Sequence, residues 1–128
     1  MSLTVGVAQL HSTIGDLTGT VADHVALVRE AAAEGATVVV FPELSLTGYD
    51  PELIDLQALR LGPDDLALQP LRRVCKELRV QAFVGAPVAP SDPESFLPEI
   101  GVLSIDPTGT VRPRGGPAVR RRDVSVPA

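Results

Sequence analysis

The sequence predicts an α/β fold, a single domain on a parallel sheet. LTVGVAQL at 3–10, mostly apolar and rich in β-branched or small side chains, and the unbroken β-branched run ATVVVF at 36–41 flank a segment whose apolar residues recur at helical spacing. Strands without polar alternation are apolar on both faces, the pattern of parallel sheets covered on two sides. Strand, helix and strand joined by short connections make a βαβ unit. With 128 residues the chain suffices for one hydrophobic core and hardly for two.

The elements follow in order. The first strand is expected over 3–10, then a loop from His11 to Gly19 with Gly15-Asp16 as its turn. Thr20 is the expected cap of a helix running to Glu34, with Val21, Val25, Val28 and Ala32 as its buried stripe. Gly35 stands where a helix end wants a left-handed residue. Pro42 stops the second strand, because it has no N–H to give to a ladder. Gly48-Tyr49 turns the chain, and Asp50-Pro51 reads as the cap and first-turn proline of a short helix. After a loop at Gly62-Pro63-Asp64, a second long helix starts near Leu68 and presents Leu71, Val74, Cys75 and Leu78 on one face. Residues 80–87 give a third strand, 88–95 a loop and 100–105 a fourth strand. Asp106-Pro107-Thr108-Gly109 is a marked turn, and Thr110-Val111 opens a fifth strand. Residues 112–128, rich in Arg and Pro and without any period, read as a disordered basic tail, so the domain proper is 1–111.

Charge narrows the functional classes. Residues 1–111 carry 6 basic and 15 acidic side chains, a balance of −9, while 112–128 carry 5 and 1, a balance of +4. An acidic body repels nucleic acid, and five tail arginines without interleaved aromatics are not expected to bind it. No apolar run reaches the roughly 18 residues of a membrane span. No basic side chain precedes the first apolar stretch, so no secretion signal is expected and the chain reads as cytoplasmic. One Cys and two isolated His make neither a disulfide framework nor a zinc site, and no cofactor is implied.

Glu43 is the position where chemistry is expected. It follows directly on the carboxyl end of a buried strand, the edge at which open α/β sheets bind ligands. A poorly solvated carboxylate there would be a stronger base, and Pro42 restricts the direction in which it leaves the strand. The ordinary reading of the same residue is a loop carboxylate that caps a helix or pairs with an arginine.

The segment VVVFPELSLTGYD, 38–50, resembles the first catalytic motif of the nitrilase superfamily, the carbon–nitrogen hydrolases. Residues 5–36 are similar to that family's opening strand, Gly-Asp turn and first helix. Residues 61–88 resemble its next helix and strand, and GVLSIDPTGTV, 101–111, its following hairpin. The resemblance implies the first half of an α-β-β-α sandwich. It also implies hydrolysis of a small amide, nitrile or carbamoyl compound by a Cys nucleophile with a Glu base and a Lys. A thiolate suits a weakly electrophilic carbon, a carboxylate takes the thiol proton, and a fixed ammonium stabilises the charge that develops. The Glu carries over to Glu43, and Tyr49 of the same motif is a substrate-pocket candidate.

The other two members do not carry over. Where the family has its Lys this sequence reads RPRGGPAVRRR, and the only lysine, Lys76, sits on the polar face of a helix upstream. The family's Cys belongs to the second half of its fold. Cys75 lies on an apolar helix face and reads as a structural thiol. His11 is expected in a loop near the edge that carries Glu43, and His24 at the helix surface or boundary. The chain alone is therefore expected to be inactive. The sign change in charge after Val111 suits a shift of reading frame. Two other readings stand beside this one. In one, a non-enzymatic half-domain associates with itself or with a partner through an uncovered sheet face. In the other, the chain is a nucleotide-binding α/β domain, against which stands the lack of GxGxxG and of GxxxxGK[ST].

Overall fold

The computed structural model describes residues 3–11, 15–48, 62, 64–88, 94 and 99–114. Its elements are β1 (Val5–Val7), α1 (Leu17–Ala33), β2 (Val38–Val40), α2 (Gln69–Leu78), β3 (Gln81–Val88), β4 (Glu99–Ile105) and β5 (Val111–Arg114). They form one five-stranded sheet in sequential order. β1, β2 and β3 run parallel, and β3, β4 and β5 form an antiparallel meander. The expected α/β architecture is thus present. Tyr49, the short helix after Asp50, most of the 88–95 loop and the tail beyond Arg114 lie outside the described residues.

Helix α1 starts earlier than its apolar stripe predicts. Asp16, not Thr20, is the cap, and its carboxylate accepts from the Gly19 amide at 2.9 Å. Thr20 lies one turn inside the helix and faces the core. At the other end Gly35 has φ +94°, and the Gly35 and Ala36 amides return to the Ala32 and Ala31 carbonyls. A single 3-10 turn, Leu66–Leu68, leads into α2, with Pro70 in the first helical turn where its missing N–H is not needed.

Both helices lie on one face of the sheet. Val21 and Val28 of α1 and Leu71, Val74 and Cys75 of α2 close over Val39, Ala82, Val84, Leu103 and Ile105. Arg29 of α1 and Glu77 of α2 pair across the helix seam at 3.1 Å, both well exposed. Exposed pairs of this kind contribute at most about 1 kcal/mol. The apolar core therefore holds the helices in place.

The opposite face is open, where uninterrupted apolar strands predict cover on both sides. Register places Val5 and Val7 beside Val38 and Val40, and these beside Gln81 and Phe83. Ser104, Val102 and Ile100 of β4 continue the same surface. Val7 is 78% exposed, and Val5, Val40, Ile100 and Val102 are exposed as well. The runs lack alternation because both faces are apolar, yet the two described helices cover only one.

β1 is shorter than the expected 3–10. It is an edge strand, paired with β2 alone, although hydrogen bonds from Thr37 to Thr4 and from Ala8 to Val40 prolong the contact on either side. β5 runs to Arg114, so residues 112–114 are ladder and not tail. The preceding turn explains their order. The Asp106 carboxylate accepts from the amides of Thr108 and Thr110 and pairs with Arg112 at 2.9 Å. The Thr108 hydroxyl is the main reason its pKa falls to about 2. Arg72 of α2 donates to the Gly109 carbonyl at 2.7 Å and ties the turn to the helix layer. Among the described residues no helix is long and apolar enough to cross a membrane.

Candidate active-site turn after the second strand

The chain leaves β2 through Phe41, whose amide still bonds the Phe83 carbonyl at 2.9 Å. Pro42 then ends the ladder, and residues 43–47 form a turn. Ser45 N bonds Pro42 O, and the amides of Thr47 and Gly48 both reach Leu44 O. Leu44 has φ +52° and is fully buried. A left-handed leucine is costly, by about 1–2 kcal/mol, and persists where packing over-determines it. Glu43, its neighbour, is exposed on the outside of the turn. The low solvation expected for this carboxylate is thus not found. The turn drives the side chains of Leu44 and Leu46 inward, and the same geometry sends that of Glu43 out.

Gly85 of β3 makes the turn possible. A β-carbon there would stand 2.3 Å from Leu44 N, 2.5 Å from Pro42 O and 2.9 Å from the Glu43 carbonyl carbon. Only glycine allows backbone to cross backbone at this distance. Both polar groups of Gly85 are used in the crossing. Its carbonyl accepts from Leu46 N at 2.9 Å, and its amide donates to Ser45 Oγ at 3.1 Å.

His24 is the residue whose place the sequence reading misjudges. It is fully buried, not at the surface. Its ring stacks on Phe41 with centroids 4.3 Å apart, its Nδ1 lies 2.7 Å from Thr20 O, and its Nε2 lies 2.9 Å from Ser45 Oγ. A signal existed: position 24 is three residues after Val21 and four before Val28, inside the buried stripe. Burial holds its pKa below the ordinary 6.5, against smaller opposing effects of the Thr20 carbonyl and Asp23. The unfolded chain then binds a proton near pH 6.5 that the folded chain refuses, so stability rises with pH through this window. His24's contribution should be complete above 6.5 and lost as pH falls through the folded value. Thermal unfolding of the parent and His24→Gln at pH 7.5 and 5.5 should show the larger acid-induced drop in the parent.

The remaining candidates lie apart from the turn. His11 is exposed just past β1, on the same carboxyl edge of the sheet. Cys75 and Lys76 lie by the opposite, amino-terminal ends of the parallel strands. Cys75 is fully buried, and burial first, then the Asp106 charge, pushes its pKa up to about 12. Such a thiol is neither a thiolate nor reachable. A disulfide reagent should label it at about one-hundredth or less of the rate seen in denaturant; equal rates would place it at the surface. Lys76 is exposed and lines a concavity of about 250 Å³ with Gln69, Arg72, Arg73, Thr108 and Gly109. A second of similar volume lies between β1 and α1, with Gln9, Glu30 and Glu34 on its wall. Neither includes Glu43.

The structure thus presents an acidic residue on a glycine-backed turn at the carboxyl edge of a parallel strand, the edge at which open α/β sheets bind ligands. A family model described as carbon–nitrogen hydrolase matches residues 4–122. The chain belongs to the carbon–nitrogen hydrolase family. That match and strand β5 both pass the residue 111 at which the sequence reading places its break.

Among curated relatives, the glutamine-dependent NAD(+) synthetase of Thermotoga maritima is 35% identical over 83 residues, 65% of this chain and 14% of that protein. That of Mycobacterium bovis is 37% identical over 78 residues, 61% of this chain and 12% of the other. Among solved structures, an amidase from Nesterenkonia sp. matches with a TM-score of 0.67 at 23% identity, covering 84% of this chain and 40% of the amidase. Saccharomyces cerevisiae Nit3, of the nitrilase superfamily, matches with a TM-score of 0.73 at 15% identity, covering 88% and 43%. At these identities the structures establish the nitrilase-type fold. The chain spans less than half the length of each of these proteins.

Proposed function

We propose that this chain is the Glu-bearing part of a hydrolase for a small amide, nitrile or carbamoyl compound, with Glu43 as general base. The supporting observation is the turn itself: Glu43 is held at the carboxyl end of β2 by backbone that crosses Gly85 in contact. Glutamine, itself an amide, is the candidate substrate that the name of the glutamine-dependent synthetase relatives suggests. The reaction needs a thiolate to attack the carbonyl or nitrile carbon and an ammonium to stabilise the negative charge that forms. Cys75 and Lys76 sit at the other end of the sheet and supply neither. The isolated chain is therefore inactive, and the nucleophile and cation are contributed by residues that complete the domain. With an amide substrate Glu43 takes the thiol proton during attack and returns it to the leaving ammonia, and water then cleaves the thioester that has formed.

The test has two parts. Ammonia release from glutamine, small aliphatic amides and nitriles by the isolated chain should stay at buffer background. Residues 4–114 grafted in place of the matching segment of the Thermotoga synthetase should support release from glutamine, and Glu43→Gln in that graft should lower it by about 10³-fold. A folded graft equally active with Gln at 43 would refute the role of Glu43. Turnover by the isolated chain that survives Cys75→Ala would refute the assignment of three cooperating groups.

A second reading is favoured by the open sheet face. Exposed Val5, Val7, Val40, Ile100 and Val102 suit association with another copy of this chain. This role needs no chemistry at Glu43.

A further inference from the structure

His24 is a buried titratable side chain that the proposed chemistry does not use, and its contacts are confined to the elements around one turn. Thr20 O has only lone pairs to offer, so Nδ1 carries the ring proton and donates it. In a neutral ring Nε2 is then bare and accepts the Ser45 hydroxyl proton. The Ser45 oxygen in turn accepts from the Gly85 amide. The result is a one-way chain of donors from β3 through the turn to helix α1: Gly85 N–H to Ser45, Ser45 O–H to His24, His24 Nδ1–H to Thr20. Phe41, the last residue before Pro42, stacks on the imidazole at an interplanar angle of 28° and limits its tilt. Each bond fixes the direction of the next, and Ser45 is two residues from Glu43.

We propose that His24 is a positioning residue, which orients the Ser45 hydroxyl and thereby holds the 43–47 turn, with Glu43 on it, against Gly85. An apolar side chain of similar size would fill the same volume but remove the Nε2 acceptor that fixes the direction of the Ser45 hydroxyl. The hydroxyl would then turn to find another partner, and the amide of Gly85 would share in the change. The inference rests on the reading of Glu43 as the base for its meaning in catalysis, but the turn's order is measurable without any activity.

Hydrogen exchange in the full chain tests it, read at the Leu46 and Gly48 amides, which bond Gly85 O and Leu44 O. His24→Leu and Ser45→Ala should each speed exchange at these two amides by about tenfold or more. Val84 and Leu103, in the β3–β4 ladder, should stay within about twofold. His24→Gln, whose carbonyl oxygen can accept from Ser45, should restore slow exchange at the turn. Combining His24→Leu with Ser45→Ala should add nothing to the larger single effect, since both break one chain. Imidazole ¹⁵N shifts should report the Nδ1-protonated neutral ring.

Acceleration spread evenly over turn and ladder would make His24 a core residue only and overturn the proposal. So would an unchanged turn in Ser45→Ala, a variant that removes a single oxygen and stands in if His24→Leu does not fold. Glu43→Gln should leave the exchange pattern as it is. If the pattern follows the proposal while the grafted Glu43→Gln keeps its activity, the positioning stands and the reading of Glu43 as base falls.

Discussion

Alanine at position 85 should cost the fold about 3 kcal/mol or more, lowering the melting midpoint by about 10 °C. The added methyl carbon would meet three backbone atoms of residues 42–44 at 2.3–2.9 Å. Side-chain ends can swing aside from such a contact, whereas backbone cannot. Either β3 bows away from β4 or the turn lifts. Lifting the turn breaks the Leu46-to-Gly85 bond and the Gly85-to-Ser45 bond together. Gly62→Ala is the control. Among the described residues nothing lies within 4 Å of its added carbon, so the midpoint should move by less than about 2 °C. Calorimetry or circular dichroism of both variants decides. A Gly85→Ala chain as stable as the parent would mean that the turn is loosely held.

The second large effect is association. At about 10 μM, light scattering behind size exclusion should show dimers or larger species, and a hydrophobic dye should bind the chain. Five exposed apolar side chains on one sheet face, with Phe83 and Val38 half-buried among them, form the patch. The acidic body opposes contact, but at physiological salt charge is screened beyond about 8 Å. Val7→Lys with Val102→Lys should weaken association by about tenfold or more and leave the melting midpoint of the monomer nearly unchanged, since neither side chain is in the core. A parent chain that elutes as a monomer and binds no dye would rule this out.

What could be read in the sequence was set by local physics. The β-branched run at 38–40, the glycine after α1 and the Asp-Pro-Thr-Gly turn each demand their conformation from nearest neighbours alone. The place of Glu43 after β2 was legible too, because Pro42 has no N–H with which to continue the ladder of a strand paired on both sides. Its exposure was not, since that follows from Leu44 taking a left-handed backbone under packing from elsewhere. His24 was missed for a related reason. A polar residue in an apolar stripe looks like a surface residue until its partner is known, and Ser45 lies 21 positions away. The cap of α1 shows the opposite error. Both Asp16 and Thr20 are good caps, and the choice depended on whether Thr20 was needed inside.

The sequential strand order also sets a timetable for folding. Val88 pairs with Glu99 across 11 positions, so β3 and β4 can meet early. Val5 must wait for Val38, 33 positions on, and the two share only a three-residue ladder. During synthesis β1 is thus made well before the strand it pairs with. It stays an unpaired apolar segment until β2 is itself anchored on β3. Until then its apolar side chains are open to non-native contacts.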